Sequence, residues 1–431
     1  MRIGEIKDFT KIKEKGVVDC GQQMQPIHLL ELFGGIGAPR RALENVIAEL
    51  VKNSNPMANK RQLRALSADR IKSIDYVEVL PYAVQAYNQM FDLNNRPQDI
   101  RLWNMNVDIL VHGSPCQDYS REGKNDLNTG RSILYERTLQ ILNPAPENGY
   151  PELTRRPKVV IWENVPNMAY SHPDVLRNYL TTMENYGYTN TFCGSKKYET
   201  KGGYVSPRSI MVDYMLDASD YGIPQARERF FCISVLNEYA DRNGAFKMPE
   251  PVPENKRYTL KQFLDLSADM DSKENSFTET ELSITKKVGS QWYVRQAVKG
   301  DFGAGPGYVP VNEYQRVDLA FPNSKNRRGR VGDYASTLTT SPRQGVLIKD
   351  KFRTFTAKEK LRLMGFRDRD YENMEKSGLT DKQISLLAGN SICVPVLENI
   401  FRAVILQYPE MFEKAIPYPW TPIPAASDAA S

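Results

Sequence analysis

Val107-Asp108-Ile109-Leu110-Val111-His112-Gly113-Ser114-Pro115-Cys116-Gln117-Asp118-Tyr119-Ser120 is the stretch around which the chain is organised. The apolar run Val107, Ile109, Leu110 and Val111 reads as a strand, and the Gly-Ser-Pro after it cannot continue one, so Cys116 stands at a strand's carboxyl end. Open α/β sheets place their chemistry there. Cys116 also opens a polar segment running from Gln117 to Glu122, where a partly exposed thiol can ionise and reach a substrate. It is a candidate nucleophile. Taken alone, a small buried residue at a tight turn accounts for it equally well.

Upstream, Ile27-His28-Leu29-Leu30-Glu31-Leu32-Phe33 is a second apolar run, ended by Gly34-Gly35-Ile36-Gly37, and Arg40 to Leu50 then takes helical spacing. A strand, glycine turn and helix in that order let a ligand approach the backbone beside a helix N-terminus. A tight connection with no ligand reads the same way. A dinucleotide fingerprint would need a third glycine where Arg40 stands, which counts against NAD or FAD. In the next strand candidate, Asp75 to Leu80, Glu78 interrupts apolar residues; an acid at a strand end can accept hydrogen bonds from ribose hydroxyls, or simply lie on an exposed edge. Asn53 to Lys72, between these strands, exceeds a minimal crossover and reads as a surface insertion.

Downstream, Arg121 to Arg131 is polar with two glycines and reads as a mobile loop, and Ser132 to Leu142 returns to helical spacing. Lys158 to Val165 (KVVIWENV) is a nearly continuous apolar run of the kind buried on both faces in a parallel sheet, ending at Glu163-Asn164. If it neighbours the Cys116 strand, carboxylate and thiol share one end of the sheet. In Gln225-Ala226-Arg227-Glu228-Arg229, alternation puts Gln225, Arg227 and Arg229 on one side of an extended chain. An amide and two guanidiniums in a row suit phosphate or a base carbonyl; a solvated strand edge is the other reading.

With 431 residues the chain exceeds one ordinary core, and 25% charged with 41% hydrophobic residues is the balance of a folded soluble protein. The net charge of +5 permits a polyanionic partner without requiring one. Five scattered cysteines without a Cys-x-x-Cys pair, and only three histidines, predict free thiols, a reducing compartment and no metal site. The amino terminus lacks the apolar core of a leader, and the sequence shows no apolar run expected to span a bilayer, so no membrane is expected and the cytoplasm is the expected location.

Taken in order, LFGGIGAPRRALE (Leu32 to Glu44), the acid of VEVLPYA (Glu78), GSPCQDYS (Gly113 to Ser120), WENV (Trp162 to Val165), DASDYGIPQARERFF (Asp217 to Phe231), STLTTS (Ser336 to Ser341), LMGF (Leu363 to Phe366) and AGNSICVPVL (Ala388 to Leu397) resemble the DNA (cytosine-5) methyltransferase family. The motifs span most of the chain in the family's order, and Pro-Cys-Gln with Glu-Asn-Val and Gln-x-Arg-x-Arg is a highly specific combination. The resemblance implies methyl transfer from S-adenosylmethionine to C5 of cytosine in a short sequence of double-stranded DNA, by a monomer, with the target base extruded from the stack. It makes Cys116 the nucleophile at C6, places Glu163 at N3 and N4 and Arg229 at O2, and leaves Arg227 and Gln225 in support. For the cofactor it implies Phe33, Gly34, Gly35, Ile36 and Gly37 on the methionine side and Glu78 at the ribose. Val79, Asp99, Ile100 and Pro115 would surround the adenine, and Asn390 and Ser391 would close the pocket. The implied fold is α/β: the Rossmann-like mixed sheet of S-adenosylmethionine-dependent methyltransferases, with a smaller target-recognition domain inserted. An RNA cytosine-5 methyltransferase and an inactive DNA-binding relative are the alternatives; the intact Cys116, Glu163 and Arg229 argue against the second.

The expected domains are a catalytic part over 1–236, a target-recognition domain over 237–344, and helices over 345–431 that return to the first. The middle segment has no family motif. It begins Pro-rich, and Lys286 to Arg343 carries ten Lys or Arg against four Asp or Glu, a balance suited to phosphate contacts. Gly300 to Gly307 (GDFGAGPG), beside Trp292 and Tyr293, is a candidate groove-entering loop. Thr356 and Glu359 have the spacing of a capping box at a helix start, and Val394 to Leu406 has the spacing of an amphipathic helix.

Overall fold

The computed structural model describes residues 26–100, 107–114, 134–143, 156–194, 208–339 and 344–412. The chain up to Leu236 builds β1 (Ile27–Leu32), α1 (Ala38–Ser54), α2 (Lys60–Ala68), β2 (Ile71–Val77), α3 (Pro81–Phe91), β3 (Ile109–His112), α4 (Leu134–Leu142), β4 (Val159–Asn164), α5 (Pro166–Ser171), α6 (Pro173–Asn185), β5 (Tyr188–Cys193), β6 (Ser209–Val212), β7 (Leu216–Asp217), β8 (Gln225–Ala226) and β9 (Glu228–Leu236). Eight of these strands form one sheet in the order β2-β1-β3-β4-β9-β5-β6, with β7 paired to β9. Its first four strands are mutually parallel, and β9 runs antiparallel between β4 and β5. The apolar runs are central for the expected reason: every residue of β3 and β4 is buried.

The chain goes from β1 outward to β2 and then back past β1 to β3. Right-handed crossovers therefore put α1 and α3 on opposite faces and open a crevice at the carboxyl ends of β1 and β3, where the direction reverses. The glycine turn after β1 and the Gly113-Ser114 segment after β3 both leave the sheet at that crevice. The expected insertion between β1 and β2 contains α2, whose Asn59 and Gln62 form a capping box, and β2 starts at Ile71, four residues before the expected strand.

Beyond α7 (Asn237–Asn243), residues 245–264 still pack on the main core through Phe246, Met248, Leu260, Phe263 and Leu264. After the short helix α8 (Glu279–Leu282), β10 (Thr285–Val288), β11 (Gln291–Arg295) and β12 (Tyr308–Val311) form an antiparallel sheet. A second sheet combines β13 (Arg316–Asp318) and β14 (Arg330–Gly332) with β16 (Gln344–Ile348) and β17 (Lys351–Thr354), while β15 (Ala335–Ser336) pairs with β8. Phe277, Ile284, Val294, Val311, Val317, Leu319 and Leu347 make a separate small core. At the expected boundary of 344, β16 supplies Leu347 to that small core and Val346 and Ile348 to the main one.

The chain returns through α9 (Ala357–Arg362), α10 (Asp368–Lys376), α11 (Asp381–Asn390) and α12 (Val394–Gln407). Thr356 and Glu359 cap α9 as expected. Asp381–Gln407 is long and apolar enough to cross a membrane by length and composition only. It is two helices broken at residues 391–393, and Ile384, Leu387, Val394, Leu397, Ile400 and Phe401 are buried in the main core, which explains its apolar character.

Candidate active site

The site forms where β3 and β4 end side by side. His112 pairs with Trp162, so the next residues, Gly113 and Glu163, face each other across the strands. A Cβ on Gly113 would stand 3.4 Å from Glu163 Oε2 and 3.6 Å from Ile392 Cδ1, which brings the C-terminal segment to the same point. On the other side of β4, Glu163 lies opposite Phe231 in β9. Arg229 is two residues from Phe231 and shares its face. Its Nε sits 3.2 Å from Glu163 Oε1. Burial pushes the Glu163 carboxyl above its ordinary range, and the charges of Arg229 and Arg227 only partly offset it.

The turn leading to Cys116 is clamped from β4. Trp162 Nε1 donates to Ser114 Oγ at 3.2 Å, and Asn164 Nδ2 donates to the same oxygen at 3.2 Å and to the Ser114 carbonyl at 3.4 Å. Asn164 Oδ1 accepts from the Val165 amide at 2.8 Å, which fixes the side chain that does this. Both Pro115 and Cys116 lie outside the described residues.

Gln225 and Arg227 do not join Arg229 on a receiving surface, so the expected row of three is corrected. Both are buried. Gln225 Nε2 donates to the Leu363 carbonyl at 2.7 Å and its Oε1 accepts from the Leu338 amide at 2.9 Å. Arg227 donates to the carbonyls of Leu338 at 3.0 Å, Gly389 at 3.0 Å and Ser391 at 2.8 Å. Arg227 lies between β8 and β9, so the alternation of one continuous strand does not hold across it. The two side chains bind backbone from three distant segments and fix the wall behind Glu163 and Arg229.

The glycine turn forms the second half of the site. Phe33, Gly35 and Gly37 have φ of 57°, 54° and 76°, the left-handed region that favours glycine. A Cβ on Gly37 would collide with the Tyr87 ring at 2.5 Å, whereas one on Gly35 would meet nothing within 4 Å, so open space lies over Gly35. Glu78 reaches this turn: its Oε2 accepts from the Gly35 amide at 3.1 Å and its Oε1 from the amides of Val79 and Leu80 at 2.8 and 2.9 Å. Ile36 and Ile100 are buried, and the Ile100 carbonyl accepts from Arg137 Nε at 3.2 Å. Phe33 and Asp99 are half-buried, while Val79 and Asn390 are exposed and their side chains take no part in this network. Ser391 belongs to the Glu163 half, through Arg227.

One carboxylate was missed in the sequence reading. Glu31, in the middle of the β1 run, is fully buried, accepts from the Arg40 amide in the first turn of α1 at 2.6 Å and from the Tyr87 hydroxyl at 2.8 Å. Burial pushes its carboxyl up to about 7 despite both bonds. The signal was available: an acid inside an apolar run, the pattern that singled out Glu78. Tyr76 was missed as well; its hydroxyl donates to the Gly35 carbonyl at 2.7 Å and its ring stacks on Tyr87 at 3.7 Å.

The chain has counterparts among known proteins. The model of the C-5 cytosine-specific DNA methylase family matches residues 27–406. The type II methyltransferase M2.ScrFI of Lactococcus lactis subsp. cremoris is 28% identical over 306 residues, 68% of this chain and 66% of that protein. The orphan methyltransferase M.SssI of Spiroplasma monobiae is 25% identical over 426 residues, 87% of this chain and 96% of its own. The crystal structure of the S. pombe Dnmt2 methyltransferase superposes with a TM-score of 0.52 at 17% identity, covering 88% of this chain and 98% of that one, and so shares its fold. The chain belongs to the C-5 cytosine-specific DNA methylase family and is a DNA cytosine-5 methyltransferase.

Proposed function

We propose that the protein uses S-adenosylmethionine to methylate C5 of a cytosine extruded from a short specific sequence of duplex DNA, through a covalent bond between Cys116 and C6. The observation that carries this reading is the meeting of Gly113, Glu163 and Arg229 at the carboxyl ends of β3 and β4, beside the glycine turn. A pyrimidine accepts a nucleophile at C6 only if the charge that develops on N3 and O2 is stabilised. Glu163, whose burial favours the protonated carboxyl, donates to N3 and accepts from the N4 amino group; Arg229 donates to O2. The Cys116 thiolate adds its electron pair to C6 and the C5–C6 π pair becomes available at C5. After C5 has gained its methyl, loss of the C5 proton to a base expels the thiolate and restores the ring. Ser114, held by Trp162 and Asn164, sets where the nucleophile's turn begins.

The open space over Gly35 and the Glu78 carboxylate fit a cofactor with an amino-acid end and a ribose. S-adenosylmethionine, when bound, supplies a methyl group on a sulfonium, an electrophile for C5. Phe33 to Gly37 hold its methionine side, Glu78 takes its ribose hydroxyls, and Ile100 with Val79, Asp99 and Pro115 lines the adenine. Asn390 and Ser391 close the pocket. Recognition of the duplex belongs to the β-rich body between the two halves of the main core, in a monomer.

The test is to incubate purified protein and S-adenosylmethionine with unmethylated genomic DNA and map 5-methylcytosine at base resolution. Marks confined to one short motif are expected. A folded, cofactor-binding protein that leaves no marks on duplex DNA would overturn the reading.

A further inference from the structure

The segment between β11 and β12 is a built projection rather than a slack loop. In the β11–β12 hairpin Arg295 pairs with Tyr308, and the residues between them fold into a closed tip. Gly307 donates its amide to the Gly300 carbonyl at 2.8 Å, and Asp301 forms an isolated bridge with Pro306. The Asp301 carboxylate accepts from the amides of Gly303 and Gly305 at 2.9 and 3.0 Å. Gly300, Gly303, Gly305 and Gly307 all take φ between 78° and 109°, so no other residue types support this path.

What the tip presents is apolar and rimmed by positive charge. Phe302 is 48% exposed at its apex, and Val298 beside it is 44% exposed. Lys286 holds the tip by donating to the Ala304 carbonyl at 3.2 Å, and its ammonium and the Arg295 guanidinium both lie within 6 Å of the Tyr308 ring. Lys299 is exposed on the same loop. The one acid of the tip, Asp301, is occupied by backbone amides. A large apolar side chain fixed at an exposed apex by a pre-ordered backbone costs solubility and suits a partner that needs little further ordering to bind.

A two-stranded ribbon fits the DNA major groove, phosphates flank that groove, and the thymine methyl is the apolar group displayed on its floor. We infer that the β11–β12 hairpin enters the major groove and that Phe302 contacts a thymine methyl, so that this residue sets one T·A position of the target sequence. The inference rests on the proposed reading of the chain as a duplex-specific methyltransferase. The cations at the rim hold phosphates on either side, and the glycine backbone lets the tip approach the bases without side chains of its own in the way.

The experiment follows base-resolution mapping by the wild-type protein. If that protein marks no duplex, the proposed function has failed and the hairpin is not at issue; if its target contains no T·A pair, the assignment of Phe302 is overturned. Otherwise duplexes carrying the target are prepared with deoxyuridine in place of each thymidine, which removes only the methyl. Wild type is expected to lose about fourfold or more in kcat/KM at one such replacement, the worth of one buried methyl. Phe302→Ala should show a lowered rate on the thymidine duplex and no further loss at that replacement, while Phe302→Leu retains part of the discrimination. Wild type indifferent to every replacement, or the same loss in wild type and Phe302→Ala, would overturn the assignment. Should Phe302→Ala be inactive, the comparison is made with Phe302→Leu: discrimination equal to that of wild type counts against the contact, and reduced discrimination supports it.

Discussion

Glu163 and Glu31 are both buried carboxyls on neighbouring parts of one sheet, and their partners give them different work. Glu163 lies beside Arg229 at 3.2 Å, and burial raises its carboxyl above the ordinary range, the direction that favours the proton the proposed reaction needs at cytosine N3. Glu163→Gln is expected to slow methyl transfer by ~100-fold or more, the usual worth of a positioned proton donor, with cofactor affinity unchanged. Single-turnover rates against pH give the sharper check: in the wild type, transfer falls as rising pH ionises Glu163, and the glutamine variant lacks that limb. An undiminished limb in the variant would assign it to another group. Glu31 faces the core instead. Its carboxyl is raised to about 7, so the folded state holds a proton that the unfolded chain releases near its ordinary value of 4.5. The resulting contribution is full below the unfolded value and is lost as pH rises through about 7, a change on the order of 3 kcal/mol. Glu31→Gln keeps an acceptor for the Arg40 amide and should flatten the decline in unfolding free energy between pH 4.5 and 7. Denaturant titrations across that range measure it; equal slopes in the two proteins would mean that Glu31 ionises freely in the fold.

The glycine turn joins sequence to site at the scale of one element, and two of its glycines should respond differently. At Gly37 a Cβ would lie 2.5 Å from the Tyr87 ring, itself stacked on Tyr76, and φ is 76°. At Gly35 only the backbone objects, with φ of 54° and open space around. Gly35→Ala is therefore expected to cost about 1–2 kcal/mol of stability. Gly37→Ala should cost several kcal/mol, since ring overlap is added to backbone strain. Thermal unfolding of both variants, with and without S-adenosylmethionine, checks this; Gly35→Ala should lose most of the cofactor's stabilising effect because its methyl enters the open space proposed to take the cofactor. Such elements were legible because their signals are local: β1, the turn and α1 show a change of period within some twenty residues, and β4 is a continuous apolar run. What escaped lacks a local signal. β2 is an edge strand whose sequence from Ile71 lacks a continuous apolar run, so its start was read four residues late. The partners of Gln225 and Arg227 are backbone carbonyls and an amide more than a hundred residues away, and no spacing within Gln-x-Arg-x-Arg announces them. Glu163 and Arg229 were joined only by the family resemblance, because nothing local in the sequence shows that β4 and β9 are neighbours.

At the scale of the whole molecule, the β-rich body must be held in register with the crevice, and a buried ion pair joins the two crossings between them. The chain leaves the main core at Leu264-Asp265 and comes back along β17 into α9. Arg353, in β17, donates to both oxygens of Glu359, in α9, at 2.8 and 2.6 Å, with both side chains almost wholly buried. The outgoing segment is tied to the same pair: the Asp265 amide donates to Glu359 Oε1 at 2.7 Å, and Arg353 donates to the Asp265 carbonyl at 3.3 Å. The Thr356 amide fills the second oxygen at 2.9 Å. A buried pair so fully bonded adds little net stability over an apolar replacement, because desolvation offsets its attraction, yet removing one member strands a charge. Glu359→Gln is accordingly expected to cost about 3–5 kcal/mol, and the double variant Arg353→Met with Glu359→Leu distinctly less than the sum of the single changes. Denaturant unfolding supplies the energies, and methylation mapping supplies the second readout: if the pair sets the angle of the recognition body, the double variant folds but methylates its target with lowered kcat/KM. A double variant as active as wild type would make the pair a filler of the core, and would leave the Gln225 and Arg227 bonds to Leu338 as the contacts that align the two bodies.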